Sequence, residues 1–301
     1  MKKEEIIYNV NLTNAVYFKS NEIDWKGLGI KKVTWMNDSK TDTQGFTALS
    51  NDTLYIVWRG SSSPKDFLKD AQVKKVNFVE PGEKVHNGFY TAFSSVKEDL
   101  YSSINYYKAE RYINKTLEQR LSDNLYYHSI GHTKDVVKAV ERLALLENVT
   151  DEGLFLLKSA ASYHDAGFVE KYERNEEIGA RMAEEVLPNF GYTEKHIEQI
   201  KELIYVTEIP HNPKNKLEEI ICDADLDYLG RDDFHEIADR LRRELKEHGK
   251  IESDRQWDEI QVKFLTAHRY FTQTAIDTRR KKKLENLADI KARLEKNEYN
   301  D

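Results

Sequence analysis

Three groups of residues able to bind a metal occur in order along this chain of 301 residues: His128-Ser-Ile-Gly-His132, then His164-Asp165, then Asp223-Ala-Asp225. Imidazole nitrogen and carboxylate oxygen together suit Mn, Fe, Mg, Zn or Ni, and a site with an open position lowers the pKa of bound water towards neutrality. A hydroxide formed in that way can attack phosphorus, and a neighbouring histidine can protonate the departing alkoxide. Each group alone is a weak signal, because a lone histidine on a helix more often packs or faces solvent. Their setting adds weight. His164-Asp165 closes an apolar run from Leu154 to Tyr163, and Asp223 closes another, Ile220-Ile221-Cys222. Charged groups at the ends of buried helices are costly to desolvate unless they are paired or hold a metal.

The elements that must position these groups are helical. From Lys108 onward the apolar residues follow a helical period: Leu143, Leu145 and Leu146, then Leu154, Leu156 and Leu157, then Ile178, Met182 and Val186, then Ile197, Ile200 and Ile204. Helix starts are expected at Asp151, Thr193 and Asp232, and stops at Asn148, Gly191 and Gly230. Arg279-Arg-Lys-Lys-Lys, followed by Leu284, Leu287, Ile290 and Leu294, reads as one charged amphipathic helix whose basic cluster faces solvent. The first third differs. Gln44 to Ser50 and Thr53 to Trp58 favour strands and are joined by Asn51-Asp52 as a hairpin. Lys74 to Val79 is a further apolar run before the Pro81-Gly82 turn, and an amphipathic stretch covers about Gly88 to Ile104.

Composition supports this division. Charged residues make up 33% of the chain and the apolar set 39%, with 13 Gly and 5 Pro, which excludes disorder and collagen-like repeats. Residues 1–105 hold 14 basic and 13 acidic side chains, whereas 106–301 hold 32 and 40. Eight of the nine histidines also lie in the second part. A net charge of -7 argues against binding a nucleic-acid polymer, and no run approaches the apolar length of a membrane span. With Cys222 as the single cysteine, no intrachain disulfide forms, and a cytoplasmic setting is the expectation. Oligomeric state stays open.

The stretches Leu125-Tyr-Tyr-His-Ser-Ile-Gly-His-Thr-Lys-Asp-Val-Val, Ala160-Ala-Ser-Tyr-His-Asp-Ala-Gly-Phe and Ile220-Ile-Cys-Asp-Ala-Asp-Leu-Asp-Tyr-Leu-Gly-Arg resemble the HD superfamily of metal-dependent phosphohydrolases over about residues 108–277. The resemblance implies a helical bundle in which His132, His164, Asp165 and Asp223 bind one divalent cation. The Tyr-His-x-x-x-His variant is similar to cyclic-nucleotide phosphodiesterases, which implies His128 as the acid for the leaving group. Asp165, beside the attacking water, is a candidate base. Many two-metal members carry further histidines between the His-Asp pair and the last Asp. Here Glu173 to Ala180 contains none, so one cation is expected. Glu176 or Glu177 would reach a second ion, or would face solvent as helix-start carboxylates. Lys171, Arg174 and Arg231 are candidate phosphate contacts, and the implied substrate is a small phosphoester such as a nucleotide or cyclic nucleotide.

Residues 44–96, with Phe46 to Trp58, Arg59-Gly-Ser-Ser-Ser and Val85-His-Asn-Gly-Phe, resemble the N-terminal part of class 3 lipases of the α/β-hydrolase fold. That resemblance implies Ser61 in an oxyanion hole and, further on, a Gly-x-Ser-x-Gly elbow. No such motif occurs. Its nearest approach is Tyr127-His-Ser129-Ile-Gly131, with Ser129 as nucleophile and a bulky Tyr in place of the first glycine. The expected architecture is therefore α+β overall: a truncated lipase-like α/β segment over 1–105 and an all-α HD-type domain over 106–301. The expected function is metal-dependent phosphoester hydrolysis, with ester hydrolysis through Ser129, or a non-catalytic regulatory module, as alternatives.

Overall fold

The computed structural model describes residues 25, 30, 32–38, 43–49, 54–58, 75–77, 84–86, 105–297 and 299. The chain divides into two compact units, Met1–Ile104 and Asn105–Asp301.

The described residues of the first unit form two antiparallel sheets. Strands β1 (Lys32–Asp38), β2 (Thr43–Leu49) and β3 (Leu54–Trp58) pair in the order β1-β2-β3. Their register sets Trp35 opposite Phe46 and Phe46 opposite Val57. Phe46, Ala48 and Val57 are buried, as the period-two alternation of a half-buried sheet requires, and the Trp25 and Trp35 rings pack on Phe46. The β2–β3 pair is the hairpin expected from the sequence. Strands β4 (Lys75–Asn77) and β5 (Lys84–His86) form a second antiparallel pair. Ser61 and the amphipathic stretch Gly88 to Ile104 lie outside the described residues.

The second unit is helical. It contains α1 (residues 105–120), α2 (Ile130–Leu146), α3 (Asp151–Tyr163), α4 (Asn175–Val186), α5 (Glu194–Tyr205), α6 (Lys216–Asp225), α7 (Phe234–Glu247), α8 (Asp254–Ala267) and α9 (Gln273–Lys296). Short 3-10 turns at Ala166–Val169, Leu187–Phe190 and Asp227–Gly230 connect some of them. Local capping explains several starts: Thr150, Thr193, Asn215, Ser253 and Thr272 each accept a backbone N–H of the following first turn. Asn148 and Gly191 take positive φ after helical turns, so the expected stops there coincide with the chain reversals.

Two apolar clusters hold the bundle. The larger joins α1 through Ile113 and Leu117, α2 through Val136, Val140 and Leu143, α3 through Leu156, Leu157 and Ala160, and α5 through Ile200 and Ile204. The smaller joins Tyr127, Tyr228, Phe234, Trp257, Leu265 and Ile290. Gly179 permits one close approach, since a Cβ there would stand 2.4 Å from the carbonyl of Tyr163 at the end of α3.

The basic cluster of α9 is not a uniformly solvated face. Lys283 is buried and donates to the carbonyls of Leu265 (3.1 Å) and His268 (2.5 Å), which meet no further helical N–H where α8 ends. Arg279 donates to Asp227 (2.7 and 3.2 Å), and only part of the cluster, Arg280 and Lys281 included, is exposed. The sequence pattern reveals the charge but not the buried carbonyls and carboxylate that meet it.

Candidate metal centre

Three helix ends converge to build the centre. His132 sits in the first turn of α2, His164 and Asp165 follow the last residue of α3, and Asp225 is the last residue of α6. His132 Nε2 and His164 Nε2 face each other at 3.3 Å. An oxygen of Asp165 lies 3.4 Å from the first and 3.1 Å from the second, and Asp225 Oδ1 lies 3.0 and 3.4 Å from the same two nitrogens. His132, His164 and Asp165 each offer a ligand atom within 4.8 Å of the others.

These groups fit a cation. Donors about 2.1 Å from one ion lie about 3.0 to 3.4 Å apart in octahedral to tetrahedral sites, the range found here. His164 Nδ1 is 2.9 Å from the carbonyl of Ala161, so Nδ1 carries the proton and Nε2 presents its lone pair. Asn175 Nδ2 donates to Asp165 Oδ1 at 3.2 Å, while Asp165 Oδ2 is buried without any hydrogen-bond partner. A buried carboxylate oxygen without a hydrogen-bond partner, 3.1 and 3.4 Å from two imidazole nitrogens, has the surroundings of a metal ligand.

Burial opposes charge on Asp225, but hydrogen bonds from His132 and His164 hold its carboxyl well below the usual range. Burial likewise opposes charge on His164, and the Asp165 and Asp225 carboxylates raise it well above an ordinary imidazole.

Asp223, expected as the fourth ligand, is not in this cluster. Its carboxylate accepts the Phe271 N–H (2.9 Å), the Thr272 N–H (2.7 Å) and the Thr272 hydroxyl (2.7 Å), and so anchors the start of α9. Two residues along a helix rotate a side chain by about 200°, so Asp223 and Asp225 point to opposite sides of α6 and only one can meet the imidazoles. The Asp-Ala-Asp pattern supplies both candidates without the facing that selects Asp225.

His128 stands in the turn before α2 and stacks on Phe168, with ring centroids 4.1 Å apart. Its Nδ1 is hydrogen-bonded to Glu244 of α7, which also accepts the backbone N–H groups of Tyr127 (2.9 Å) and His128 (3.1 Å) and the Tyr172 hydroxyl (3.0 Å). Glu244 is fully buried. Burial works against its charge, yet the His128 hydrogen bond keeps its carboxyl below the usual value, so it is an acceptor and His128 Nδ1 is the donor. Burial pulls the His128 pKa down, but the Glu244 hydrogen bond and the charges of Asp165, Glu244 and Asp225 outweigh it and raise the value. Sequence reading missed Glu244. A signal existed: Glu244 interrupts the apolar face marked by Ile237, Leu241 and Leu245, where a charge needs a partner.

The three candidate phosphate contacts are elsewhere. Lys171 is exposed, Arg174 pairs with Glu177, and Arg231 is held by Asp135 and Asp233. None lines the cavity of about 460 Å³ onto which His128, His132, Asp165 and Asp225 open. Among the described residues, its walls have no Lys or Arg. Glu176 does line this cavity, whereas Glu177 is taken by Arg174. Ser129, the alternative nucleophile, is the N-cap residue of α2 and follows a turn, not a strand. Among the described residues no imidazole is hydrogen-bonded to its hydroxyl. Residue 129 is thus the entrance of a ligand-bearing helix, and the tight strand-to-helix geometry of a nucleophile elbow is missing there.

The fold and the site together describe a helical domain with a two-histidine, two-carboxylate centre at converging helix ends. Comparison with known proteins gives two partial likenesses. The family model Lipase (class 3) matches residues 55–118, a segment that ends in α1, before Ser129. Among solved structures, the chain is similar to a predicted HD superfamily hydrolase from an uncultured Thermotogales bacterium. The identity is 19% and the TM-score 0.43, over 62% of this chain and 91% of that one. No curated protein matches the chain. No helix among the described residues is long and apolar enough to cross a membrane.

Proposed function

We propose that this chain hydrolyses phosphate esters with the help of one divalent cation held by His132, His164, Asp165 and Asp225. The observation that carries the reading is the convergence of two imidazole nitrogens and two carboxylates, one with a buried oxygen that has no hydrogen-bond partner. A cation bound there, whether Mn, Fe, Mg, Zn or Ni, supplies an acidified water and offsets charge on the phosphoryl oxygens.

The chain's own residues do the rest. Asp165, aligned by Asn175, accepts a proton from the attacking water as the water oxygen bonds to phosphorus. The bond from phosphorus to the alcohol oxygen breaks, and His128 donates its Nε2 proton to that oxygen. Glu244 holds His128 in place through Nδ1 and stabilises its charged form, which suits a general acid. The resemblance to cyclic-nucleotide phosphodiesterases places nucleotides and cyclic nucleotides on the panel to be screened.

Metal analysis of the purified full chain, combined with hydrolysis of a phosphoester panel, tests the reading. The expected result is about one divalent ion per chain and a rate that disappears in His164→Ala and Asp165→Ala. Purified protein that binds no divalent ion, or variants that keep the full rate, would overturn it. The lipase-like segment at 55–118 favours a second reading, ester hydrolysis through Ser129. Labelling of Ser129 by a serine-reactive phosphonate would support that reading, and no labelling would remove it. Full metal occupancy with no hydrolysis of any ester would leave the regulatory module.

A further inference from the structure

The cavity beside the metal centre has two unlike ends. One is formed by His128, His132, Asp165 and Asp225. The other runs between α7 and α8 and is walled by Leu241, Leu245, Trp257, Ile260, Phe264 and Leu265. At about 460 Å³ it is the size of a small-ligand site and far larger than a packing defect. Apolar side chains that surround open space forfeit contacts they would make in a filled core. An occupant of matching chemistry restores those contacts.

Charge narrows the occupant further. Among the described residues, the walls carry four carboxylates, from Asp165, Glu176, Glu208 and Asp225, and no Lys or Arg. Burial raises the Glu176 pKa, and the Asp165, Glu208 and Asp225 charges add to that rise. The arginines on the outside of this region are committed elsewhere: Arg142 and Arg279 to Asp227, Arg242 to Asp239 and Asp254. Among the described residues, positive charge within the cavity is therefore limited to the cation and protonated His128. These are enough for one phosphoryl group. A second phosphate would lie against carboxylates without a counter-charge, at a cost that grows in an apolar setting.

We propose that the substrate is a phosphate ester with a single phosphoryl group whose alcohol part is apolar and is bound by the α7–α8 chamber. The proposal rests on the phosphoester reading of the metal centre and narrows it, and it places polyphosphorylated nucleotides outside the substrate class. Hydrolysis joins the water oxygen to phosphorus and releases the apolar alcohol with the proton from His128.

A homologous series tests this without changing the leaving group's acidity. For ethyl, butyl and hexyl phosphate, kcat/KM measured on the metal-loaded full chain should rise by roughly two- to fourfold per methylene that enters the chamber. ATP and pyrophosphate should be poor substrates. Ile260→Lys changes a residue that is already partly exposed, so the fold is retained. It should flatten the series while metal content by elemental analysis stays the same. Calorimetry with ethyl- and hexylphosphonate reads the chamber independently of turnover. Tighter binding of hexylphosphonate with no hydrolysis of any ester would keep the chamber assignment and overturn the hydrolase reading. A flat alkyl series alongside rapid hydrolysis of nucleotides would overturn the chamber assignment and leave the hydrolase reading intact.

Discussion

Asp225 and Asp227 are two residues apart at the end of α6, and both are largely buried, yet they serve two different clusters. Asp225 faces two imidazoles that share its charge with Asp165. Asp227 faces Arg142 at 2.5 Å and Arg279 at 2.7 Å, with Arg231 at 3.8 Å. In the second cluster every charge has a permanent counter-charge, and the result is a structural tie between α2, α9 and the turn after α6. In the first cluster two carboxylates meet two groups that are cationic only when protonated, and one oxygen has no hydrogen-bond partner. The difference teaches that a buried acid is a candidate for function when its compensation is incomplete or removable, not simply because it is buried.

The largest expected effect separates the two clusters. Asp225→Ala should remove the metal and lower phosphoester hydrolysis by at least about 100-fold. Asp227→Asn should keep the metal but lower stability by about 3 kcal/mol, because it leaves arginines partly buried without a full counter-charge. Elemental analysis and thermal unfolding read the pair, and loss of metal in Asp227→Asn would show that the clusters are not independent.

Next in size is the acid. His128→Ala should retain metal and lower kcat by about 10² to 10⁴. Glu244→Gln should lower kcat less, and should move the alkaline limb of the pH–rate profile to lower pH. The sign follows from the charge: the carboxylate raises the His128 pKa, so without it the proton needed for the leaving group is lost earlier. An unmoved limb would detach Glu244 from the chemistry.

Asp223 sharpens the contrast within α6. Asp223→Ala leaves the Phe271 and Thr272 N–H groups unpaired, and should cost about 3 kcal/mol of stability with metal content unchanged. Loss of the ion in this variant would restore Asp223 as a ligand.

The smallest effect concerns His268. Burial lowers its pKa to about 3, and the Lys283 and His211 charges act in the same direction. The imidazole is neutral in the fold but protonates near 6.5 when unfolded. Its contribution is therefore complete above about pH 6.5 and is lost as pH falls towards 3. Between pH 7 and pH 5 the chain should lose about 1 to 2 kcal/mol more stability than His268→Gln does, as read by denaturant unfolding at the two pH values. Equal losses would show that His268 is accessible to protons in the fold.

Much of this was legible in the sequence. The period of apolar residues located the helices of the second unit; Asp151 is the first residue of α3, and Thr193 is the cap of α5. The β2–β3 hairpin followed from its strand-favouring runs. His132, His164 and Asp165 were named by motif and setting, and the structure brings the three together. Lys171, Arg174 and Arg231 were not legible as phosphate contacts or otherwise, since a basic residue near a motif can as easily pair with Glu177 or Asp233 as face a ligand. Glu244 lies 116 residues from the histidine it holds, a contact no local pattern encodes.

The sequence by itself determined the donor types and the helices that carry them. Helical period also fixed that Asp223 and Asp225 point to opposite sides of α6. Only the tertiary structure decided which of the two meets the imidazoles, because that depends on which neighbour packs against each face of the helix: α9 receives Asp223, and the ends of α2 and α3 receive Asp225. The same holds for the chamber. Its leucines and aromatics carry no mark in the sequence, and only the spacing of α7 and α8 leaves them facing open space beside the candidate metal centre.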